Sequence, residues 1–350
     1  MSANSVTNWG QSTTGQVVVE AFPQQVKDKI ILITGANPGG IGGSTATSLA
    51  IASPKLLVLA GRSEARLAQT IEAVNKINPD VKCKALILDL SSQESCRKAA
   101  KEVIEASDIP NIDLLINNAG VMDIPERQFS TEGIEMQFAT NHIGHFLFTN
   151  LIFPKVAAAA KASATGATRI INLSSRAVTY GPVRFDDYNF TKCEKDLPES
   201  NHMSKAVREL WNVLEDKPYI PQAAYGQSKS ANVLFSVGLN NRLADKAGII
   251  SLAVHPGMVG TELSRHMDPE HLKAVIDRLQ KEGLGLYVKN LDEGCSTTLV
   301  AALDPRNTKD DLFWEDCHVA SWAPEWSTSS EKAEQLWKLS EQLVGREFPL

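Results

Sequence analysis

Six short apolar bursts, spaced from one another by stretches of helical length, constrain this chain more than any other feature. They fall at residues 30–33, 56–59, 85–88, 112–116, 170–173 and 249–254. Each burst is nearly unbroken, as expected of a strand covered on both faces within a parallel sheet. The spacers carry helical signals. Residues 63–77 place Leu67, Ile71 and Val74 on one stripe. Residues 225–246 form a second helix, with Gly248 in position to cap its C-terminus. Strands alternating with helices predict an α/β fold, a Rossmann-type doubly wound parallel sheet.

A chain of 350 residues, 43% hydrophobic, can bury a large core. No repeat, low-complexity tract or linker interrupts it, so residues 29–350 read as one domain behind an N-terminal extension, 1–28, that leads into a short helix. Two other segments break the rhythm. Residues 176–222 form an insertion dotted with Phe185, Tyr188, Phe190, Trp211 and Tyr219. Residues 258–290 form a substrate-side helical segment, helical around 270–281, and a last helix is expected near 330–344.

Charge and cysteine usage narrow the class. Lys and Arg number 35 against 41 for Asp and Glu, a net charge of -6, with no basic block; no nucleic-acid partner is expected. The five cysteines, Cys83, Cys96, Cys193, Cys295 and Cys317, include no C-x-x-C pair and suit free thiols in a reducing compartment. The N-terminal residues lack the basic start and apolar stretch of a signal peptide. No apolar run reaches bilayer length, so no transmembrane anchor and a cytoplasmic location are expected.

Directly after the first burst stands Thr34-Gly35-Ala36-Asn37-Pro38-Gly39-Gly40-Ile41-Gly42. A glycine-rich turn between strand and helix lets backbone N–H groups approach a pyrophosphate, and the helix N-terminus adds partial positive charge. A tight turn without a ligand has the same composition; the position after the first strand of an alternating series favours binding. At the end of the second burst stands Ala60-Gly61-Arg62-Ser63. An acidic residue there suits the ribose 2′-hydroxyl of NAD, whereas Arg62 suits the 2′-phosphate of NADP, with Arg66 one turn on as a second cation.

Tyr225-Gly226-Gln227-Ser228-Lys229 sets a phenol and an ammonium four apart on one helix face. A free phenol titrates near pH 10, and a neighbouring cation lowers that value. Tyr225 can then exchange a proton with a carbonyl or alcohol oxygen.

Taken with Asn117-Asn118-Ala119-Gly120, Asn141 and Ser175, which closes Asn172-Leu173-Ser174-Ser175, the chain resembles the short-chain dehydrogenase/reductase family from about Lys29 to Thr261. The stretches from Ala224 to Phe235 and from His255 to Leu263 resemble its retinol-dehydrogenase-like branch. The resemblance implies Tyr225 as general acid/base and Lys229 as partner of the nicotinamide ribose. It implies Ser175 as the group that polarises the carbonyl, rather than Ser174, and Asn141 as holder of a water. It further implies cofactor contacts from Gly35, Asn37, Gly40, Ile41 and Gly42, from Asp89 and Leu90 at the adenine, and from Asn118 and Ala119 at the adenosine ribose. Pro256, Val259 and Thr261 would border the nicotinamide amide and diphosphate. Many members pair through the Tyr-x-x-x-Lys helix, so a homo-oligomer is a possible partner state, against which the insertion stands.

Two departures from the family pattern mark this chain. The glycine loop carries one extra residue, leaving open whether Gly39 or Gly40 is the second functional glycine. The gap from Ser175 to Tyr225 is long, and two readings of it stay open: a partial lid whose aromatics line an apolar pocket, or a surface excursion that packs its own aromatics. His142 and His145 lack a matching metal motif and read as helix-packing residues, so no metal is expected. His266 and His271 read as solvated. The implied activity is NADP(H)-dependent interconversion of a ketone or aldehyde and an alcohol on a lipophilic small molecule. Double-bond reduction on the same scaffold is the first rival, and a non-catalytic NADP-binding sensor the second.

Overall fold

The structure is a computed structural model that describes residues 8–213, 216–265, 267, 269–281 and 287–350. In chain order its elements are α1 (Gly15–Ala21), β1 (Ile30–Thr34), α2 (Ile41–Ala50), β2 (Leu56–Gly61), α3 (Glu64–Ile77), β3 (Lys82–Ile87), α4 (Gln93–Glu105) and β4 (Leu114–Asn117). Then come α5 (Met136–Phe138), a π-helical segment (Ala139–Ile143), α6 (Gly144–Lys161), β5 (Arg169–Leu173), α7 (Lys205–Leu210), α8 (Pro221–Ala247), β6 (Ile250–His255) and β7 (Met258–Val259). The chain continues through α9 (Pro269–Lys281), β8 (Val288–Lys289), α10 (Leu291–Leu303), β9 (Phe313–Glu315), β10 (His318–Val319), α11 (Glu325–Thr328) and α12 (Ser330–Val344).

The main sheet runs β10-β9-β6-β5-β4-β1-β2-β3, parallel throughout except for β10. β1 pairs with β2 on one side and β4 on the other, so the strand order reverses there. In open α/β sheets that reversal opens a crevice at the carboxyl ends of the strands. Local chemistry sets the helix ends. Ser63 caps α3 by accepting from the Arg66 N–H, Pro221 opens α8, and Gly248 closes it with φ of 64°.

The predicted strands are present, with one shift, two additions to the main sheet and a separate two-stranded pair, β7 with β8. β3 begins at Lys82 rather than Ala85; as an edge strand it is partly exposed and carries no continuous apolar run. β9 and β10 are too short, at three and two residues, to register as bursts. They meet in a tight hairpin whose two central residues, Asp316 and Cys317, have positive φ. The N-terminal extension is built into the core, since Val18, Val19 and Val26 are fully buried.

One expectation is corrected. α5, the π-helical segment and α6 run on as a single helix, Met136–Lys161, which by length and composition is apolar enough to cross a membrane. Asn141, His142, His145, Thr149 and Asn150 interrupt its apolar residues, which hid it in the sequence; all five are buried inside the protein. The π-helical segment and α6 pack among α4, α8 and α12. The expectation for His266 lies outside the described residues, as do the side chain of His271 and parts of segments 1–28, 176–222 and 258–290.

Candidate active site

Tyr225 and Lys229 sit one turn apart on α8, both buried, near the carboxyl end of β5. Ser175 follows β5, caps a short turn by accepting from the Ala177 N–H at 3.1 Å, and hydrogen-bonds the Tyr225 phenol. Its neighbour turns the other way: the Ser174 hydroxyl donates to the Lys229 carbonyl at 2.8 Å. Geometry therefore separates two serines that composition could not. The Lys229 Nζ donates to the Leu173 carbonyl at 3.0 Å and lies 5.5 Å from the Tyr225 ring centroid.

Burial pulls Lys229 down to about 7. It pushes the Tyr225 phenol above its ordinary value, with the Ser175 hydrogen bond acting in the opposite sense. The sequence led to the opposite expectation, a phenol lowered by Lys229; in the folded protein loss of water outweighs the distant ammonium. Tyr225 is accordingly protonated at neutral pH and ready to donate.

Asn141 lies in the π-helical segment. Its Oδ1 accepts from the Val121 N–H at 2.8 Å, and its Nδ2 donates to the Val121 carbonyl and to Ser228 Oγ, each at 2.9 Å. Both amide hydrogens are thus spent, while the backbone carbonyl of Asn141, which takes one bond from His145 Nδ1 at 3.0 Å, keeps a second lone pair. Gly120 lies between this residue and the lysine. A Cβ there would stand 3.2 Å from Asn141 Oδ1 and 3.5 Å from Lys229 Nζ.

The glycine loop packs too closely for a side chain at two of its positions. A Cβ on Gly35 would stand 2.7 Å from the Ala119 Cα, and one on Gly42 would stand 2.5 Å from Asn118 Nδ2 and from the Gly35 carbonyl. Gly39 adopts φ of 73° with open space around it, while Gly40 is the extended N-cap of α2. The Gly40 N–H is spent on the Asn37 carbonyl at 3.3 Å. The first-turn N–H groups of α2, Ile41 and Gly42 among them, have no partner within the helix.

Residues 29–194 match the family model for short chain dehydrogenase. Retinol dehydrogenase 13 of Homo sapiens is 34% identical over 93% of this chain and 87% of its own length. The chain belongs to the short-chain dehydrogenase/reductase family. Its relatives place it in the retinol-dehydrogenase-like branch. A chloroplastic relative, short-chain dehydrogenase TIC 32 A of Brassica napus, is 32% identical over 97% of this chain and 95% of its own. Among solved structures, an uncharacterized protein from Mycobacterium Paratuberculosis superposes with a TM-score of 0.65 at 27% identity, over 97% of this chain and 100% of that one. The NADPH-bound carbonyl reductase from chicken fatty liver shares the fold, with a TM-score of 0.56 at 21% identity over 85% and 99% of the two chains.

In this short-chain dehydrogenase/reductase the remaining expected residues follow the carboxyl ends of β2, β3, β4 and β6, with the partners they use in the fold. Arg62 is exposed just beyond β2. Arg66 is already engaged: its guanidinium donates to Glu262 Oε2 at 2.6 Å and to the Pro38 carbonyl at 3.2 Å. Asp89 Oδ1 accepts from the Ser91 N–H and hydroxyl, shaping the turn after β3, and Leu90 is buried beneath it. Asn118 Nδ2 donates to the Thr34 carbonyl at 2.7 Å, and the N–H groups of Asn118 and Ala119 both donate to Thr34 Oγ1. Pro256 and Val259 are half-buried after β6, held by the pairing of β7 with β8, and Thr261 caps the turn that follows.

The insertion turns most of its rings inward. Phe190, Met203, Val207, Trp211, Ile220 and Val275 form one apolar cluster, and Phe190 lies under the buried Arg184 guanidinium at 4.3 Å. Tyr180 and Trp211 pack edge-on within this cluster, with ring centroids 6.2 Å apart. Tyr180 is close enough to Tyr225 for its charge to influence that phenol. A separate cleft of about 940 Å³ lies between residues 182–208 and α11–α12, lined by charged side chains and without Tyr225.

Proposed function

We propose that this chain catalyses reversible NADP(H)-dependent hydride transfer between a ketone or aldehyde and the corresponding alcohol. The observation that carries the reading is the convergence of the Ser175 hydroxyl on a buried, protonated Tyr225 with Lys229 one turn away. A glycine loop with no room for a Cβ at Gly35 or Gly42 supports the cofactor, and Gly35, Asn37, Ile41, Gly42, Asp89, Asn118, Ala119, Pro256, Val259 and Thr261 would hold it. A nicotinamide held there would supply the hydride for the carbonyl carbon, or accept it from the alcohol carbon. Tyr225 delivers the proton to the carbonyl oxygen while Ser175 donates a hydrogen bond to the same oxygen as negative charge develops on it. Lys229, brought down to about 7 by burial, would restore the phenol from solvent through a water held at the Asn141 carbonyl.

Arg62, exposed just beyond β2, supports NADP over NAD. Relatives named retinol dehydrogenase 12 and 13 support a lipophilic substrate. All five cysteines are free, which fits a reducing compartment such as the cytosol.

The test is NADPH oxidation by purified protein over a panel of aldehydes and ketones, with NADH and Tyr225→Phe in parallel. Turnover with NADPH that falls by about a hundred-fold or more in the variant is expected, since proton transfer by a positioned side chain contributes on that order. Equal rates for wild type and variant would defeat the reading, and equal use of NADH would defeat the NADP assignment alone.

A further inference from the structure

Behind the site lies a buried histidine that the chemistry above leaves unused. His145, on α6, is 2% exposed and bonded at both ring nitrogens: Nδ1 to the Asn141 carbonyl at 3.0 Å and Nε2 to Thr34 Oγ1 at 2.8 Å. Thr34, fully buried, ends β1 one residue before the glycine loop.

The proton positions follow from the partners. A hydroxyl oxygen has two lone pairs and one hydrogen. Both lone pairs of Thr34 Oγ1 are taken, by the N–H groups of Asn118 at 3.0 Å and Ala119 at 3.1 Å. Its hydrogen therefore goes to His145 Nε2, which must be bare. At the other end a carbonyl only accepts, so Nδ1 must carry the ring proton. The two ends arrive independently at one neutral tautomer, the Nδ1–H form. Burial, which lowers the ring to about 4, keeps it neutral; the titratable groups that face it are Lys229 from α8 and His142 from its own helix.

We propose that His145 is a positioning residue: as a fixed Nδ1–H tautomer it aims the Asn141 carbonyl and ties the proton path to the end of the cofactor-binding strand. The bonds form a continuous line. It runs from the Asn118 and Ala119 N–H groups through Thr34 and His145 to the Asn141 carbonyl. From the Asn141 amide it continues through Ser228 Oγ, which donates to the Tyr225 carbonyl at 2.7 Å. The π-helical geometry makes room for this, because its wider ladder, with the Gly144 N–H reaching back to the Ala139 carbonyl, breaks the regular helix around Asn141. That the line serves catalysis rests on the proposed function; the tautomer does not.

Two measurements test the proposal. Nitrogen NMR of protein labelled in its seven histidines should show His145, identified by the resonance missing in His145→Asn, protonated at Nδ1 and bare at Nε2. His142 serves as the internal opposite. Its Nε2 donates to Ser340 Oγ at 2.8 Å, because the Ser340 hydroxyl hydrogen is already given to the Leu336 carbonyl. A His145 ring protonated at Nε2 would overturn the assignment whether or not the protein turns over any substrate.

Function is read from two substitutions that each keep one bond. The asparagine amide in His145→Asn reaches about as far as Nδ1 and can still donate to the Asn141 carbonyl. The glutamine amide in His145→Gln reaches about as far as Nε2 and can still accept from Thr34. His145→Gln should lose about ten-fold in kcat, one buried hydrogen bond's worth, and shift the pH profile of kcat. His145→Asn should keep the wild-type profile even if its Tm falls as far. NADPH affinity and Tm of both variants report folding. Equal effects of the two substitutions on kcat and profile would reduce His145 to a packing residue.

Discussion

Glycine does different work at Gly39 and Gly42, although only two residues separate them. Gly39 needs its positive φ and touches nothing, so Gly39→Ala should cost about 1 kcal/mol of stability, read by urea unfolding, and leave NADPH affinity within about two-fold. Gly42→Ala would drive a Cβ to within 2.5 Å of the Gly35 carbonyl and Asn118 Nδ2. The loop and the Asn118 turn must then move apart, and NADPH affinity measured by fluorescence titration should drop by about ten-fold or more. The sequence left open which of Gly39 and Gly40 mattered because composition does not carry φ. Likewise Ser174 and Ser175 differ in direction rather than in chemistry. His145 was legible only as a helix-packing histidine, since Thr34 lies 111 residues away in the chain and its other partner, the Asn141 carbonyl, is a backbone group that composition does not display.

At the scale of elements, α8 carries chemistry near one end and packing all along it. Every residue from Ala223 to Leu239 is buried. Much of that cover comes from α12, whose Trp337 ring lies 5.0 Å from Phe146 and 6.0 Å from Phe235, beneath the Arg242 guanidinium at 3.9 Å. Trp337→Ala should therefore cost about 3–5 kcal/mol in urea unfolding, the usual range for a large aromatic removed from a core. A loss under about 1 kcal/mol would mean that α12 is only loosely seated. Pairing of two chains through α8 would have to displace α12. The sequence announced α3, α8 and α12 through their stripes and caps, because helices of 14, 27 and 15 residues sample several turns. It announced β9 not at all, since a three-residue strand takes its place from pairing with β6.

For the molecule as a whole, buried ionisable groups set the response to acid. Burial lowers His142 and His255 to about 3 and His145 to about 4, from an ordinary 6.5. Below pH 6.5 the unfolded chain takes up protons that the folded one refuses, so these groups make stability fall as pH drops toward 4. Glu135, raised by burial to about 7, works the other way between its ordinary 4.5 and 7, because there the folded chain holds the extra proton. Three histidines against one glutamate leave a net loss of up to about 3 kcal/mol per pH unit on acidification between pH 6.5 and 4.5. Urea midpoints at pH 6.5 and 5 should show it, and His142→Leu should roughly halve the slope. An unchanged slope would mean that His142 is charged in the folded protein.

The cover that α12 provides also has a history in time. Synthesis proceeds from the N-terminus and delivers α12 after every strand of the sheet, so the nascent chain can assemble its nucleotide crevice while Phe146 and Phe235 still face water. During that interval the exposed aromatic seam invites chaperones or neighbouring nascent chains. A ribosome that stalls between β10 and α12 would hold a molecule with the parts for chemistry in place and its longest helix still unprotected.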